Sequence, residues 1–153
     1  MTRYRSILAL ILAMVMTFVV SCSSPTAKTP PTYTAQQIAQ IQQFASSVEQ
    51  LRDKMSILET SIQNRNWTDV GSFIHGPLGE VRRLLSSVTR QLLPDQQQEA
   101  KEVAKDLFTS LENIDVAATS GNYPVAVQNY QAALKDFDRF LQLVPEPSNP
   151  AAS

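Results

Sequence analysis

Residues 64–94 constrain this chain most, because they keep a helical apolar rhythm across glycines and a proline. Trp67, Val70, Ile74, Leu78, Val81, Leu85, Val88 and Leu92 recur in steps of three and four, which places them on one face of a helix. Asn66 with Asp69 three residues on predicts the start of that helix, and Pro94 its close. Pro77 offers no N–H to the carbonyl of Phe73, so a kink is expected there, with Gly76 and Gly79 easing close packing. The stretch also holds the chain's only Trp, its only His (His75), three of its four glycines, and the pair Arg82-Arg83.

The flanking segments carry the same rhythm without the break. Thr34 and Gln37 read as a capping box, with Tyr33 and Ile38 placed as a hydrophobic staple. Ile41, Phe44, Val48, Leu51, Met55, Leu58 and Ile62 then form a narrow seam on one long helix. Asp95 predicts the cap of a third helix with Val103, Ala104, Leu107, Phe108, Leu111, Ile114 and Ala118 inward, stopped by Gly121. Tyr123-Pro124 opens a fourth, with the seam Val127, Tyr130, Leu134, Phe137, Leu141 and Val144, and Phe137 and Phe140 are assigned to the core. No segment alternates with period two. The expected fold is all-α, an up-down-up-down four-helix bundle with helices about 35–63, 67–92 (kinked near Pro77), 96–120 and 124–143, in a domain spanning 34–145.

Arg3 and Arg5 precede an apolar run from Ile7 to Val20, which reads as a secretion signal over 1–21 rather than a membrane span. Val19-Val20-Ser21-Cys22 resembles the bacterial lipobox. That resemblance implies that Cys22 becomes the N-terminus and carries a thioether-linked diacylglycerol and an N-acyl chain; the alternative is an ordinary cleaved signal that leaves an unpaired thiol. Acyl chains in pairs give lasting attachment. Residues 22–33, rich in proline, read as an extended tether, whose eleven residues after Cys22 span up to about 34 Å at ~3.1 Å each. Residues 146–153 are a loose proline-containing tail.

Charge and motif content narrow the chemistry. Removing Arg3 and Arg5 from 13 Lys and Arg leaves 11 against 14 Asp and Glu, a net of −3, with no basic stripe for nucleic acid. One Cys permits no internal disulfide and no Cys-based metal cluster. No nucleophile elbow, phosphate loop or nucleotide fingerprint occurs, so no catalytic residue, enzymatic activity or small-molecule substrate is assigned. A di-metal bundle site wants Glu-x-x-His on two helices, and the single His lacks that setting. The helical neighbours of His75 are Gly71, Ser72, Leu78 and Gly79, none of them a ligand, which favours a structural or docking role over metal binding. Arg82, Arg83 and Arg90 are candidates for binding carboxylates of a partner; the alternative is a solvated face on which Glu80 pairs with Arg83. Part of the fourth segment resembles a tetratricopeptide repeat, but no copy precedes it at the required period. Asn66-Trp67 and Asn122-Tyr123 are two similar helix starts.

Certain words of the sequence carry a more specific resemblance. They are Arg65-Asn66-Trp67, Phe73 to Arg83, Leu92-Leu93-Pro94, Leu107-Phe108, Ile114 to Ala118 and Ala133 to Leu141. Together with the lipobox they resemble the extrinsic Q subunit family of photosystem II (PsbQ family) in its cyanobacterial, lipid-anchored form. The resemblance implies a four-helix bundle on the lumenal side of the thylakoid membrane. It further implies docking on the oxygen-evolving photosystem, and protection of the manganese–calcium cluster with its calcium and chloride, without ligating them. The implied partners are the core antenna, the manganese-stabilising extrinsic subunit and, through the lipid, the thylakoid membrane, with no bound cofactor. Plant members have a longer N-terminal region and no lipid, so their docking mode does not transfer. A generic exported helical lipoprotein with a scaffold or metal-carrying role is the rival expectation.

Overall fold

A computed structural model describes residues 32–147. Cys22, the signal segment and most of the tether and tail lie outside them. Among the described residues every regular element is helical, and no helix is long and apolar enough to cross a membrane. The chain makes four antiparallel arms. The first is α1 (Ala35–Asp53) and α2 (Met55–Gln63); the second is α3 (Trp67–His75), a 3-10 turn (Pro77–Glu80) and α4 (Val81–Thr89); the third is α5 (Pro94–Thr119) and the fourth α6 (Tyr123–Gln142). Each arm packs on its two neighbours in the order first, second, third, fourth and back to the first. The architecture is the four-helix bundle that the periodicity predicts.

The core follows from the seams. Ile41, Val48, Met55, Leu58, Val70, Val81, Leu85, Val88, Leu107, Ile114, Phe137 and Phe140 are all buried. In the fourth arm the seam is rotated by one position from the expected one. Ala126, Ala133 and Phe140 are buried, whereas Val127, Leu134 and Leu141 are only half-buried. Small residues there let α6 approach α5 closely, and the larger side chains close over the edges. Tyr130 is buried with its hydroxyl on the Glu59 carboxylate (3.3 Å), and burial first, then that carboxylate, pushes its phenol up to about 12. Arg52 closes the first arm on the fourth with a bidentate pair to Asp138, 2.8 and 3.1 Å.

Local chemistry explains most of the ends. Thr34 makes the predicted capping box with Gln37. Tyr33, however, spends its hydroxyl rather than acting only as a staple: it accepts the N–H of Leu93 and donates to Gln96 Oε1, pinning the start of α1 beside the start of α5. Leu93, not Asp95, occupies the cap position of α5, with Pro94 at the first turn where its missing N–H costs nothing. Asp95 sits in that first turn, where its charge complements the helix dipole.

Two expected helices are interrupted. The first arm breaks at Lys54, because Ile57 N–H bonds to Lys54 O and the Ser56 hydroxyl takes the carbonyl of Asp53 instead. The second arm ends its helix at Thr89 rather than 92, and the kink at Pro77 is a full interruption of the α-helix. Gly76 makes it possible, with φ −92° and ψ −96°; a Cβ there would lie 2.7 Å from the Ser72 carbonyl oxygen. Gly79 does not serve close packing as expected, since a Cβ on it would meet nothing within 4 Å.

The arms are joined twice by one turn design at the same end of the bundle. After α2, Arg65 (φ 53°) takes the left-handed position, with Arg65 N–H on Ile62 O and Asn66 N–H on Ser61 O, a Schellman motif. After α5, Gly121 (φ 65°) does the same, with bonds to Ala118 O and from Asn122 to Ala117 O. In each, the Asn then caps the next helix through its side-chain oxygen, and an aromatic, Trp67 or Tyr123, begins it. The turns touch: the Arg65 guanidinium stacks on the Tyr123 ring at 5.2 Å, and Trp67 Nε1 would lie 3.6 Å from a Cβ at position 121.

Candidate functional site

The break at Gly76-Pro77 sets how the second arm meets α5. Above it, α3 presents His75 toward α5, and its Nε2 lies 3.2 Å from both carboxylate oxygens of Asp115. This is the partner from another helix that spacing within the second arm could not name. His75 remains largely exposed and Asp115 about one-third exposed, at 72% and 33% of their side chains. Among the described residues no three His, Cys, Asp or Glu side chains converge in a way that could hold a metal, so His75 and Asp115 are a pair and not a ligand set.

Below the break, α4 and α5 enclose an open groove of about 530 Å³. Half-buried Phe108 supplies its open apolar surface over a floor of buried Leu85 and Ala104, and Arg82, Arg90, Lys101 and Lys105 supply cations against one carboxylate, Glu112. The Arg82 guanidinium carbon lies over the Phe108 ring, 4.0 Å from its centre, and its Nη2 is 3.8 Å from Glu112 Oε1. Arg90 is oriented by the Ser86 and Ser87 hydroxyls at 2.8 and 3.3 Å. The three arginines singled out by sequence therefore part company. Arg82 and Arg90 share the groove. Arg83 does not line it, and is paired with Glu80 at 2.7 Å, the contact expected of a solvated face.

Sequence reasoning missed Lys101 and Lys105 because they sit on the polar side of α5. The signal was present, for Lys101, Lys105, Phe108, Glu112 and Asp115 follow one another at helical spacing as a single stripe beside the seam. Their juxtaposition with Arg82 and Arg90 needs the register between α4 and α5, which the turn at 90–93 sets. Cations gathered around an apolar ring suit the recognition of carboxylates.

A family profile described as PsbQ, oxygen evolving enhancer protein 3, matches residues 1–145. A protein of Synechocystis named CyanoQ is 45% identical over 149 residues, covering 97% of this chain and the whole of that protein. With a match of that extent, the chain belongs to the PsbQ, or oxygen evolving enhancer protein 3, family.

Proposed function

We propose that this chain is an extrinsic accessory subunit of photosystem II on the lumenal side of the thylakoid membrane. There it stabilises the oxygen-evolving complex and supports retention of its calcium and chloride without ligating them. Family membership over nearly the whole chain is the observation that carries the reading. The groove between α4 and α5 supports it, since cations gathered around an apolar ring suit docking on an acidic partner surface. The core antenna and the manganese-stabilising extrinsic subunit are the proposed partners, and Cys22 with its diacylglycerol and N-acyl chain is the proposed anchor. The rival metal-carrying role gains nothing from His75, whose single carboxylate partner leaves zinc short of ligands.

The test is a membrane pull-down of the tagged full chain, with bound proteins identified, and oxygen evolution assayed with and without it. The reading predicts recovery of photosystem II core subunits, and activity that is more sensitive to calcium or chloride depletion when the protein is absent. A pull-down free of photosystem proteins contradicts it. Mass spectrometry of the mature protein checks the anchor: a lipid-modified Cys22 at the N-terminus is expected, and an unmodified thiol would remove it.

A further inference from the structure

Among the described residues, the charges along the cleft between the second arm and α5 are sorted. Toward the turns at Arg65 and Gly121, each basic group has a carboxylate: His75 has Asp115, and Arg82 has Glu112. Toward the turn that carries Pro94, Arg90 is held by two serine hydroxyls, and Lys101 and Lys105 make no ion pair. Acids outnumber bases in the chain after Cys22, so this cluster of cations is a local departure from the average.

We propose that the groove seats an acidic segment of a lumenal photosystem II protein, and that Glu112 occupies Arg82 in place of that segment's carboxylate until docking. The proposal rests on the accessory-subunit reading above and adds the seat, its cations and its competitor. Three observations carry it. The Arg82–Glu112 contact, at 3.8 Å, is too long for a hydrogen bond and joins two exposed side chains, an arrangement easily displaced. The cation–π contact with Phe108 holds the guanidinium over the ring without hydrogen-bonding its N–H donors, which are left for a carboxylate. Half-buried Phe108 is the groove's open apolar surface among these cations, so the fitting segment carries an apolar residue flanked by Asp or Glu. An anionic lipid headgroup would meet the same cations, but the group already resting on Arg82 is a carboxylate, which favours a protein segment.

The experiment titrates the full chain onto photosystem II membranes stripped of extrinsic subunits. In parallel it is titrated onto vesicles containing an anionic phospholipid but no photosystem. Circular dichroism checks that helix content is unchanged in every variant. Reversing Lys101 and Lys105 together to Glu should weaken binding to the membranes by about tenfold or more and flatten its salt dependence. Glu112→Gln, which removes a negative charge, should tighten binding roughly two- to fivefold by freeing Arg82. Arg83→Glu, outside the groove, should stay within about twofold of wild type. Wild type that binds, with affinity indifferent to the double reversal or weakened by Glu112→Gln, overturns the groove and leaves the accessory-subunit reading standing. Wild type that fails to bind the stripped membranes overturns both. Binding to the vesicles with the same charge dependence assigns the groove to lipid and overturns the protein-segment proposal.

Discussion

The two hairpins of the bundle are closed by the same turn, yet they are built differently along their length. The second, α5 and α6, runs without interruption from Pro94 to Thr119 and from Tyr123 to Gln142. The first is interrupted at Lys54 and again at Gly76-Pro77. Both bury an equally continuous apolar face, so the breaks do not reflect a weaker core. Their consequence is geometric: the break in the second arm lets α3 and α4 meet α5 separately, α3 with His75 on Asp115 and α4 with Arg82 and Arg90 over the groove. A continuous helix would hold one crossing angle along its length. The uninterrupted hairpin is a continuous frame that also brings Lys101 and Lys105 to the groove, and the interrupted arm aims Arg82 and Arg90 over them.

Removing scaffold should have the largest effect. Phe137 is completely buried on α6, and Phe137→Ala should destabilise the fold by about 3–5 kcal/mol in urea unfolding. A loss under about 1 kcal/mol would place the core elsewhere. The next test lies in the break itself. Gly76→Ala drives a Cβ against the Ser72 carbonyl and should cost about 1–3 kcal/mol, whereas Gly79→Ala meets open space and should be neutral or stabilise by up to about 1 kcal/mol. Equal effects at the two glycines would mean that the interruption is set by Pro77 alone.

The twin turns sharpen the comparison further. Gly121→Ala forces a Cβ into the left-handed region and should cost about 1–2 kcal/mol. Arg65→Gly relieves a strain of the same order, about 1–2 kcal/mol. It also loses the stack on Tyr123, about 0.5–1 kcal/mol, and adds freedom to the unfolded chain, about 0.5–1 kcal/mol. A thermal shift close to zero is therefore expected for Arg65→Gly. A large gain would show that the Tyr123 contact contributes nothing.

Asp136 gives the smallest effect and one with a defined pH dependence. Burial, and then the nearby Asp106 carboxylate, hold its carboxyl above the usual value of 3.8, against the opposing influence of Arg139, Lys135 and the Ser110 hydroxyl. The folded state therefore keeps this proton more tightly than the unfolded chain. The associated stability is present below that value and is lost as pH rises through the folded-state value. Asp136→Asn, which keeps an acceptor for Ser110 without the charge, should raise the melting temperature at pH 7 and not at pH 3. An increase of equal size at both pH values would assign the gain to packing.

What could be read from the sequence divides along the same line as the two hairpins. The α5–α6 hairpin was legible because its period, Gly121 and Asn122 are all local signals, although the rotation of the α6 seam onto Ala126 and Ala133 depends on how closely α5 approaches. The kink was legible from Pro77, but its depth came from Gly76, whose unusual backbone no pattern specifies. The Lys54 break carries neither Gly nor Pro and arises from a serine hydroxyl competing for a carbonyl. In the site, Arg82 and Arg90 stood out because adjacent and periodic arginines are conspicuous. Lys101, Lys105 and the His75–Asp115 pair were hidden, because each depends on register between arms that are distant in sequence.

The claim that the face shared by the second arm and α5 docks can be tested by placing a photo-crosslinking residue at Ser86, in the groove, or at Val125, exposed on α6 outside it. Each tagged chain would be bound to photosystem II membranes, irradiated, and its adducts identified. The account predicts adducts to a lumenal photosystem II subunit from Ser86 and few or none from Val125. Adducts from Val125 with none from Ser86 would contradict it, and would place the docking surface on α6.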